Sequence, residues 1–168
     1  MIDTLRSFDL PPSLLTLEIT EGVLMEDVCR AGGQLALLRE LGIKVALDDF
    51  GTGYSGLSYL SSLPADTIKL DPLFVSRQMD STLLLESMIR MAHQFGLAVV
   101  AEGVETARQV ETLVRLQCDE LQGFHFGQPI PAAGILQALA ERTPSCRPPV
   151  GAALAYLSRN ENLTAPGI

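Results

Sequence analysis

Val45-Ala-Leu-Asp-Asp-Phe-Gly-Thr-Gly-Tyr54 is the stretch from which the fold of this chain can be worked out. Residues 45–47 form a short apolar run that is typical of a buried strand, and Asp48 and Asp49 follow at its carboxyl end. The two glycines that come next permit backbone angles closed to other residues, so the chain can fold back over the acids. Adjacent carboxylates repel each other unless a cation lies between them, and a divalent metal ion is one such cation. A solvated Asp-Asp turn is the alternative, and this stretch alone leaves both interpretations open.

The composition indicates a globular domain and excludes several classes of protein. The 168 residues suffice for one hydrophobic core, since 47% of them are hydrophobic and 19% are charged. The net charge of −8 argues against a broad basic surface, so we expect no nucleic-acid polymer as a partner. Three cysteines without CxxC spacing favour a reducing cytoplasm, and two histidines give little support to a zinc site. No apolar run has membrane-spanning length, so we expect a cytoplasmic protein without direct membrane insertion, although a membrane-bound partner chain stays open.

Segments with strand and helix patterns alternate along the chain. The predicted strands cover about residues 15–21, 45–47, 67–71, 98–102 and 120–126. The predicted helices cover about residues 25–41, 55–60, 80–95, 106–117 and 132–141. The helix near residues 80–95 is expected to bury an apolar stripe made of Leu84, Met88, Met91, Ala92 and Phe95. This order predicts parallel strands joined by crossovers, and the absence of a G-x-G-x-x-G motif after any strand argues against a dinucleotide-binding sheet.

Polar residues capable of chemistry recur at or near the carboxyl ends of the five predicted strands. They are Glu18, Asp48, Asp49, Lys69, Glu102 and Gln122. A (β/α)₈ barrel builds its active site at this end of its strands, but a closed barrel has eight units and about 250 residues. We therefore predict an α/β fold equivalent to about five strand–helix units of a TIM-like barrel. This partial barrel is expected over residues 1–142, and a loosely ordered, proline-rich tail over 143–168.

Five short motifs occur in the order and at the approximate spacing of a known family. They are Leu17-Glu-Ile-Thr-Glu21, Asp48-Asp-Phe-Gly-Thr-Gly-Tyr54, Ile68-Lys-Leu-Asp71, Ala101-Glu-Gly-Val-Glu105 and Gln122-Gly-Phe-His-Phe-Gly-Gln-Pro129. With these motifs the sequence resembles the EAL domain family of cyclic di-GMP phosphodiesterases, over roughly residues 8–140. The resemblance implies two-metal hydrolysis of one phosphodiester bond of cyclic di-GMP to linear pGpG, in bacterial second-messenger signalling.

The resemblance also implies a role for each matching residue. Glu18, Asp48 and Asp49 would be ligands of two Mg²⁺ or Mn²⁺ ions. Lys69 would touch the attacking water or a phosphate oxygen, and Glu102 would act as the base or as an acid of the metal site. The remaining matches are Glu105, Gln122 and Asp71, which would support substrate binding, and Glu21, which would anchor the loop from Asp49 to Tyr54.

Each of these residues, taken singly, has a structural interpretation as well. Lys69 could simply pair with Asp71 or Glu102, because structural ion pairs resemble site residues. Glu21 and Glu105 could be solvated acids at the start of helices, where a negative charge is favourable.

Two strands of the family pattern are absent from the sequence. The name-giving Glu-Ala-Leu strand and the asparagine-bearing strand after it would belong before Met1, and in the family they supply two metal ligands and an arginine. We therefore expect exposed strand edges that dimerise or recruit a missing portion of protein, and little hydrolysis by this chain alone. A module that binds nucleotide or a protein partner without catalysis is the main alternative. Another metal-dependent barrel enzyme is a weaker one.

Overall fold

The computed structural model describes residues 1–26, 28–51, 63–76 and 82–141. The strands are β1 (Thr16–Thr20), β2 (Lys44–Phe50), β3 (Thr67–Leu70), β4 (Ala98–Ala101) and β5 (Glu120–Leu121). The helices are α1 (Ile2–Ser7), α2 (Glu21–Glu26), α3 (Val28–Glu40), α4 (Pro72–Ser76), α5 (Thr82–Gln94), α6 (Ala107–Arg115) and α7 (Ala132–Glu141), with a 3-10 helix at Pro12–Leu14. The predicted helix near residues 55–60, the loop as far as Tyr54 and the tail 143–168 lie outside the described residues.

The five strands form one parallel sheet in sequential order, from β1 at one side to β5 at the other. Sequential order with a crossover between neighbours is the strand arrangement of a (β/α)₈ barrel. The predicted α/β class and the parallel sheet are therefore confirmed. In the described part of the chain, β1 and β5 each have a strand neighbour on one side only.

Strand register gives the sheet two chemically different faces. Leu17 pairs with Val45, Leu47 with Ile68, and Ile68 with Val99, so these apolar side chains share one face. The same face carries most of the buried cluster, which includes residues of α3, α5 and α6. Alternation along each strand leaves Glu18, Asp48 and Lys69 on the opposite face. Burial of the first face therefore fixes which acids project from the second.

The helices confirm some details of the sequence pattern and correct others. α6 begins within the predicted range and with a capping box, in which the Thr106 hydroxyl accepts from the Gln109 backbone and the Gln109 side chain accepts from the Thr106 backbone. The expected stripe on α5 is displaced, because Leu85 and Ile89 are buried whereas Leu84 and Phe95 are exposed. Met88 and Ala92 are buried as predicted and Met91 packs against the core. Leu84 and Phe95 were wrongly included, because both fit a 3.6-residue period in the sequence. The last strand is also shorter than predicted and ends at Leu121.

Two aspartates tie the amino ends of strands to the preceding helices. Asp66 accepts from the Val45 backbone at 2.9 Å and from the Arg39 guanidinium at 2.7 Å. Asp119 lies 2.8 Å both from the Val99 backbone nitrogen, which donates to it, and from a ring nitrogen of His93.

The spacing of the two contacts is the same. Arg39 lies six residues before Val45, and His93 lies six residues before Val99. The same contact thus occurs twice, at β2 and at β4, at the end of the sheet opposite the acids.

No helix within the described ranges is long and apolar enough to cross a membrane.

Candidate functional site

Three carboxylates from three strands meet at one lysine. Lys69 Nζ lies 2.7 Å from Glu18 Oε2, 2.8 Å from Glu102 Oε1 and 3.2 Å from Asp48 Oδ1. Glu18 lies on β1, Asp48 near the end of β2, Lys69 on β3, and Glu102 directly after β4. Parallel pairing brings these positions together because the carboxyl ends of parallel strands meet at one edge. We call Glu18, Asp48 and Glu102 the carboxylate cluster.

Lys69 is buried beneath these acids, with 7% of the residue exposed. Burial by itself lowers the pKa of an ammonium, because the charged form loses water. Hydrogen bonds from Lys69 to Glu102, Glu18 and Asp48 more than offset burial, so the pKa of Lys69 is raised above its ordinary value. Lys69 is therefore a permanently charged group at neutral pH, and the carboxylates around it outnumber it.

A β-bulge in β2 positions the two adjacent aspartates. Leu47 pairs with Ile68 and Phe50 pairs with Leu70, so Asp48 and Asp49 together lie opposite the single residue Lys69. Asp49 adopts a positive φ of 54°. In a regular strand Asp49 would share the core face with Leu47, but the extra residue gives that place to Phe50, which is buried. The bulge thus keeps Asp49, like Asp48, out of the core.

Glu21 is a buried acid at the start of α2. It is 3% exposed, and its Oε2 accepts from the Gly51 backbone nitrogen at 3.3 Å. Gly51 has a positive φ of 92°, which favours glycine at this position. The contact joins α2 to the first residue after the bulged strand. It is the kind of contact that the expected anchoring role requires, and the role itself stays a prediction because the rest of that loop lies outside the described residues.

The structure does not bring Asp71, Glu105 and Gln122 into contact with Lys69. Asp71 Oδ1 accepts from the Leu73 backbone nitrogen at 2.7 Å, at the start of α4. Glu105 is exposed before α6. Gln122 is also exposed, and its backbone bonds to Ala101 and to Val104. Their predicted part in substrate binding stays a prediction. Of the two lysine partners that the sequence allowed, the structure contains Glu102 and not Asp71.

Two features of the site were not predicted from the sequence. The bulge was one, although the Asp-Asp pair inside an apolar strand was a signal, since adjacent strand residues point to opposite faces. The position of Lys69 as the common partner of three acids was the other. No local signal could have revealed it, because it depends on the register of four strands.

The carboxylates are chemically suited to Mg²⁺ or Mn²⁺, which prefer oxygen ligands. Glu18 and Asp48 already meet on one cation, the Lys69 ammonium. Across the described ranges, however, no group of three or more aspartate, glutamate, histidine or cysteine side chains is spaced to hold a metal ion. The oxygen donors are thus of the type that a divalent ion binds, while among the described residues their spacing forms no metal site and the Lys69 ammonium lies where they converge.

Comparison with known proteins places this chain in a family. The EAL domain profile matches residues 1–129. The signalling protein YkoW of Bacillus subtilis is 42% identical over 143 residues, which cover 83% of this chain and 18% of YkoW. The chain therefore spans less than a quarter of the length of this relative.

Solved structures agree in fold. The PaMucR phosphodiesterase in complex with c-di-GMP is 39% identical with a TM-score of 0.75, covering 80% of this chain and 56% of that one. A manganese and cyclic di-GMP complex of BlrP1 from Klebsiella pneumoniae is 35% identical with a TM-score of 0.70, covering 76% of this chain and 33% of that one. The five-stranded sheet thus corresponds to part of these EAL structures. This chain belongs to the EAL domain family.

Proposed function

We propose that this domain forms part of an EAL-type phosphodiesterase that hydrolyses one phosphodiester bond of cyclic di-GMP to give linear pGpG. The observation that carries the proposal is the convergence of Glu18, Asp48 and Glu102 on Lys69. The c-di-GMP complexes of PaMucR and BlrP1 support cyclic di-GMP as the ligand class, and the manganese in the BlrP1 complex supports divalent ions. We place the protein in the cytoplasm as part of a signalling system.

Two divalent ions, when bound, would lower the pKa of a water molecule and neutralise the phosphate oxygens. Glu18, Asp48 and Asp49 are the residues that would hold them. Glu102, which shares the Lys69 ammonium with Glu18 and Asp48, would accept the proton of the attacking water, and Lys69 would neutralise a phosphate oxygen. Hydrolysis adds the water oxygen to phosphorus and breaks the bond to a 3′ oxygen, which leaves as a hydroxyl group. Glu105, Gln122 and Asp71 would support the substrate from the same rim.

A binding module without catalysis is the second candidate. It is favoured by the spacing of the described acids, which form no metal site on their own. In this alternative the same rim would bind nucleotide or a protein partner, and Lys69 would contribute charge only.

Calorimetry and turnover separate the two candidates. The full chain is titrated with cyclic di-GMP with and without Mn²⁺, and pGpG is quantified by chromatography. Enzymatic function predicts slow but measurable Mn²⁺-dependent turnover by this chain, which Asp48→Asn abolishes and which Asp3→Asn, an exposed change of equal charge, leaves intact. Binding without pGpG supports the module instead. Absence of both nucleotide binding and turnover would contradict the enzyme and the nucleotide-binding form of the module, and would leave only binding of a protein partner.

A separate metal titration tests the ligand assignment. Asp48→Ala and Asp49→Ala are each expected to weaken Mn²⁺ binding by about 10-fold or more, since each removes a charged ligand. Unchanged Mn²⁺ affinity in both variants would show that the metal assignment is wrong.

A further inference from the structure

Lys69 makes the carboxylate cluster possible in the absence of any other cation. The three acids come from the middle of β1, from near the end of β2 and from the residue after β4, and each has an oxygen within 3.2 Å of Nζ. Without a positive charge between them, three carboxylates at this separation would repel each other strongly in a partly buried site. The ammonium is therefore part of what holds the ends of β1, β2 and β4 at one rim.

The same carboxylates are the oxygen donors that a divalent ion would use. Glu18 Oε2 and Asp48 Oδ1 both point at Nζ, and Lys69 is too buried to swing freely into solvent. An oxygen that donates its electron pair to a metal ion gives up at least part of its contact with the ammonium. Lysine and metal ion thus compete for one set of oxygens.

We propose that Lys69 is a resident cation of the site, which holds the carboxylate cluster together when no divalent ion is bound and lowers its affinity for divalent ions. The proposal rests on the divalent-ion part of the proposed function and deepens it. Lys69 acts in this respect as a positioning residue. When a divalent ion binds, the carboxylates give up part of their ion pairs with Lys69 and contact the bound ion instead.

The test uses the only two lysines of the chain, Lys44 and Lys69. Lys69→Met removes the ammonium from the cluster. Lys44→Met is the matched control, because it changes net charge equally at the opposite end of β2, where Lys44 is exposed. Melting temperature is measured with and without Mn²⁺, and Mn²⁺ affinity by calorimetry, both on the full chain without nucleotide.

Without divalent ions, Lys69→Met is expected to melt at a lower temperature than wild type. Addition of Mn²⁺ should raise its melting temperature by more than it raises that of wild type. Its Mn²⁺ dissociation constant should fall on the order of tenfold, because a repelling charge next to the ligands is gone. Lys44→Met should match wild type in both measurements. A purely structural lysine would lower the melting temperature without changing the gain from Mn²⁺.

Several results would overturn the proposal. Equal or weaker Mn²⁺ binding by Lys69→Met would show that Lys69 does not compete with the ion. Absence of Mn²⁺ binding in both wild type and variant would also overturn it, while cyclic di-GMP binding could still be present and would leave the nucleotide part of the proposed function standing.

Lys69→Gln is the second variant, since it removes the charge but keeps a hydrogen-bond donor. If either variant is unfolded without divalent ions and folds when Mn²⁺ is added, Mn²⁺ can replace the Lys69 ammonium between the carboxylates and the proposal is supported. If both stay unfolded with Mn²⁺, the metal ion cannot replace the ammonium and the proposal is wrong.

Discussion

Asp49 and Phe50 show how one residue in a strand can determine what a site contains. A regular strand that buries Val45 and Leu47 would bury Asp49 as well and would expose Phe50. The left-handed backbone of Asp49, with φ of 54°, inserts the extra residue that reverses this outcome. Aspartate tolerates that conformation better than most residues, and Phe50 gains a buried position in return.

Cys118 is a buried thiol whose ionisation opposes folding. It is 5% exposed, and its Sγ donates to the carbonyl oxygens of Val99 and Glu120. Burial raises the pKa of this thiol from an ordinary 9.0 to about 12. Since the unfolded thiol ionises first, stability is complete below pH 9 and is lost as pH rises toward 12. We expect about 1.4 kcal/mol of loss from Cys118 between pH 8 and pH 10.

Urea unfolding at several pH values measures this loss. Cys118→Ser provides the comparison, because its hydroxyl can donate to the same carbonyls and does not ionise in this range. The free energy of unfolding of wild type should decline more steeply than that of the variant above pH 8.5. Parallel curves would show that Cys118 does not stay neutral in the folded state.

At the scale of elements, the paired Asp66 and Asp119 contacts hold the amino end of the sheet while the acids gather at the carboxyl end. Each aspartate accepts a hydrogen bond from a backbone N–H of a strand, Asp66 from β2 and Asp119 from β4. Each also contacts a basic side chain in the last turn of the helix before that strand. The strand ends that carry the carboxylate cluster are therefore supported from the opposite end by local polar contacts rather than by the core alone.

Asp119→Ala is expected to destabilise the protein by about 1–3 kcal/mol, because the Val99 N–H and His93 both lose their partner. Asp119→Asn should cost less, since the amide oxygen can still accept from Val99. Asp3→Ala is the control, as Asp3 is fully exposed in a 3.9 Å pair with Arg6. Chemical denaturation would contradict the assignment if Asp119→Ala and Asp3→Ala had equal stability.

Gly123 follows β5 and lies very close to the backbone of Val104. A Cβ atom added there would overlap the carbonyl oxygen and the backbone nitrogen of Val104. Gly123→Ala should therefore displace the turn after β5 and destabilise the protein by more than about 2 kcal/mol. Gly33→Ala is the matched control in α3, where nothing lies within 4 Å, and it should stabilise by up to about 1 kcal/mol.

Thermal melts of the two alanine variants measure these opposite shifts. The melting temperature should fall for Gly123→Ala and rise slightly for Gly33→Ala. A Gly123→Ala variant as stable as wild type would mean that the segment after β5 packs differently from the structure described.

At the scale of the whole molecule, the sheet ends at two outer strands. Backbone groups on the outer side of β1 and β5 have no strand partner in the described part of the chain. Large apolar side chains are exposed after β5, among them Phe124, Phe126 and Ile130. Unpaired edges and exposed apolar groups both favour association with another chain or another segment.

We expect dimers or larger assemblies of this chain at roughly tens of micromolar, measured by light scattering coupled to size exclusion. Thr16→Lys places a charge on the β1 edge and should reduce association, because edge lysines oppose strand pairing. Thr4→Lys carries the same charge on α1 and should have little effect. A clean monomer in wild type would contradict the expectation.

The sequence alone determined the α/β class, the parallel order of strands, the acidic residues at the strand ends and the family. These follow from local periodicity and short motifs, which are properties of neighbouring residues. It did not determine the bulge at Asp49, the buried face of α5 or the shortness of β5. It also did not show that Glu18, Asp48 and Glu102 share Lys69. Only the tertiary structure decided these points, because they depend on the register between strands and on which helix face meets the sheet.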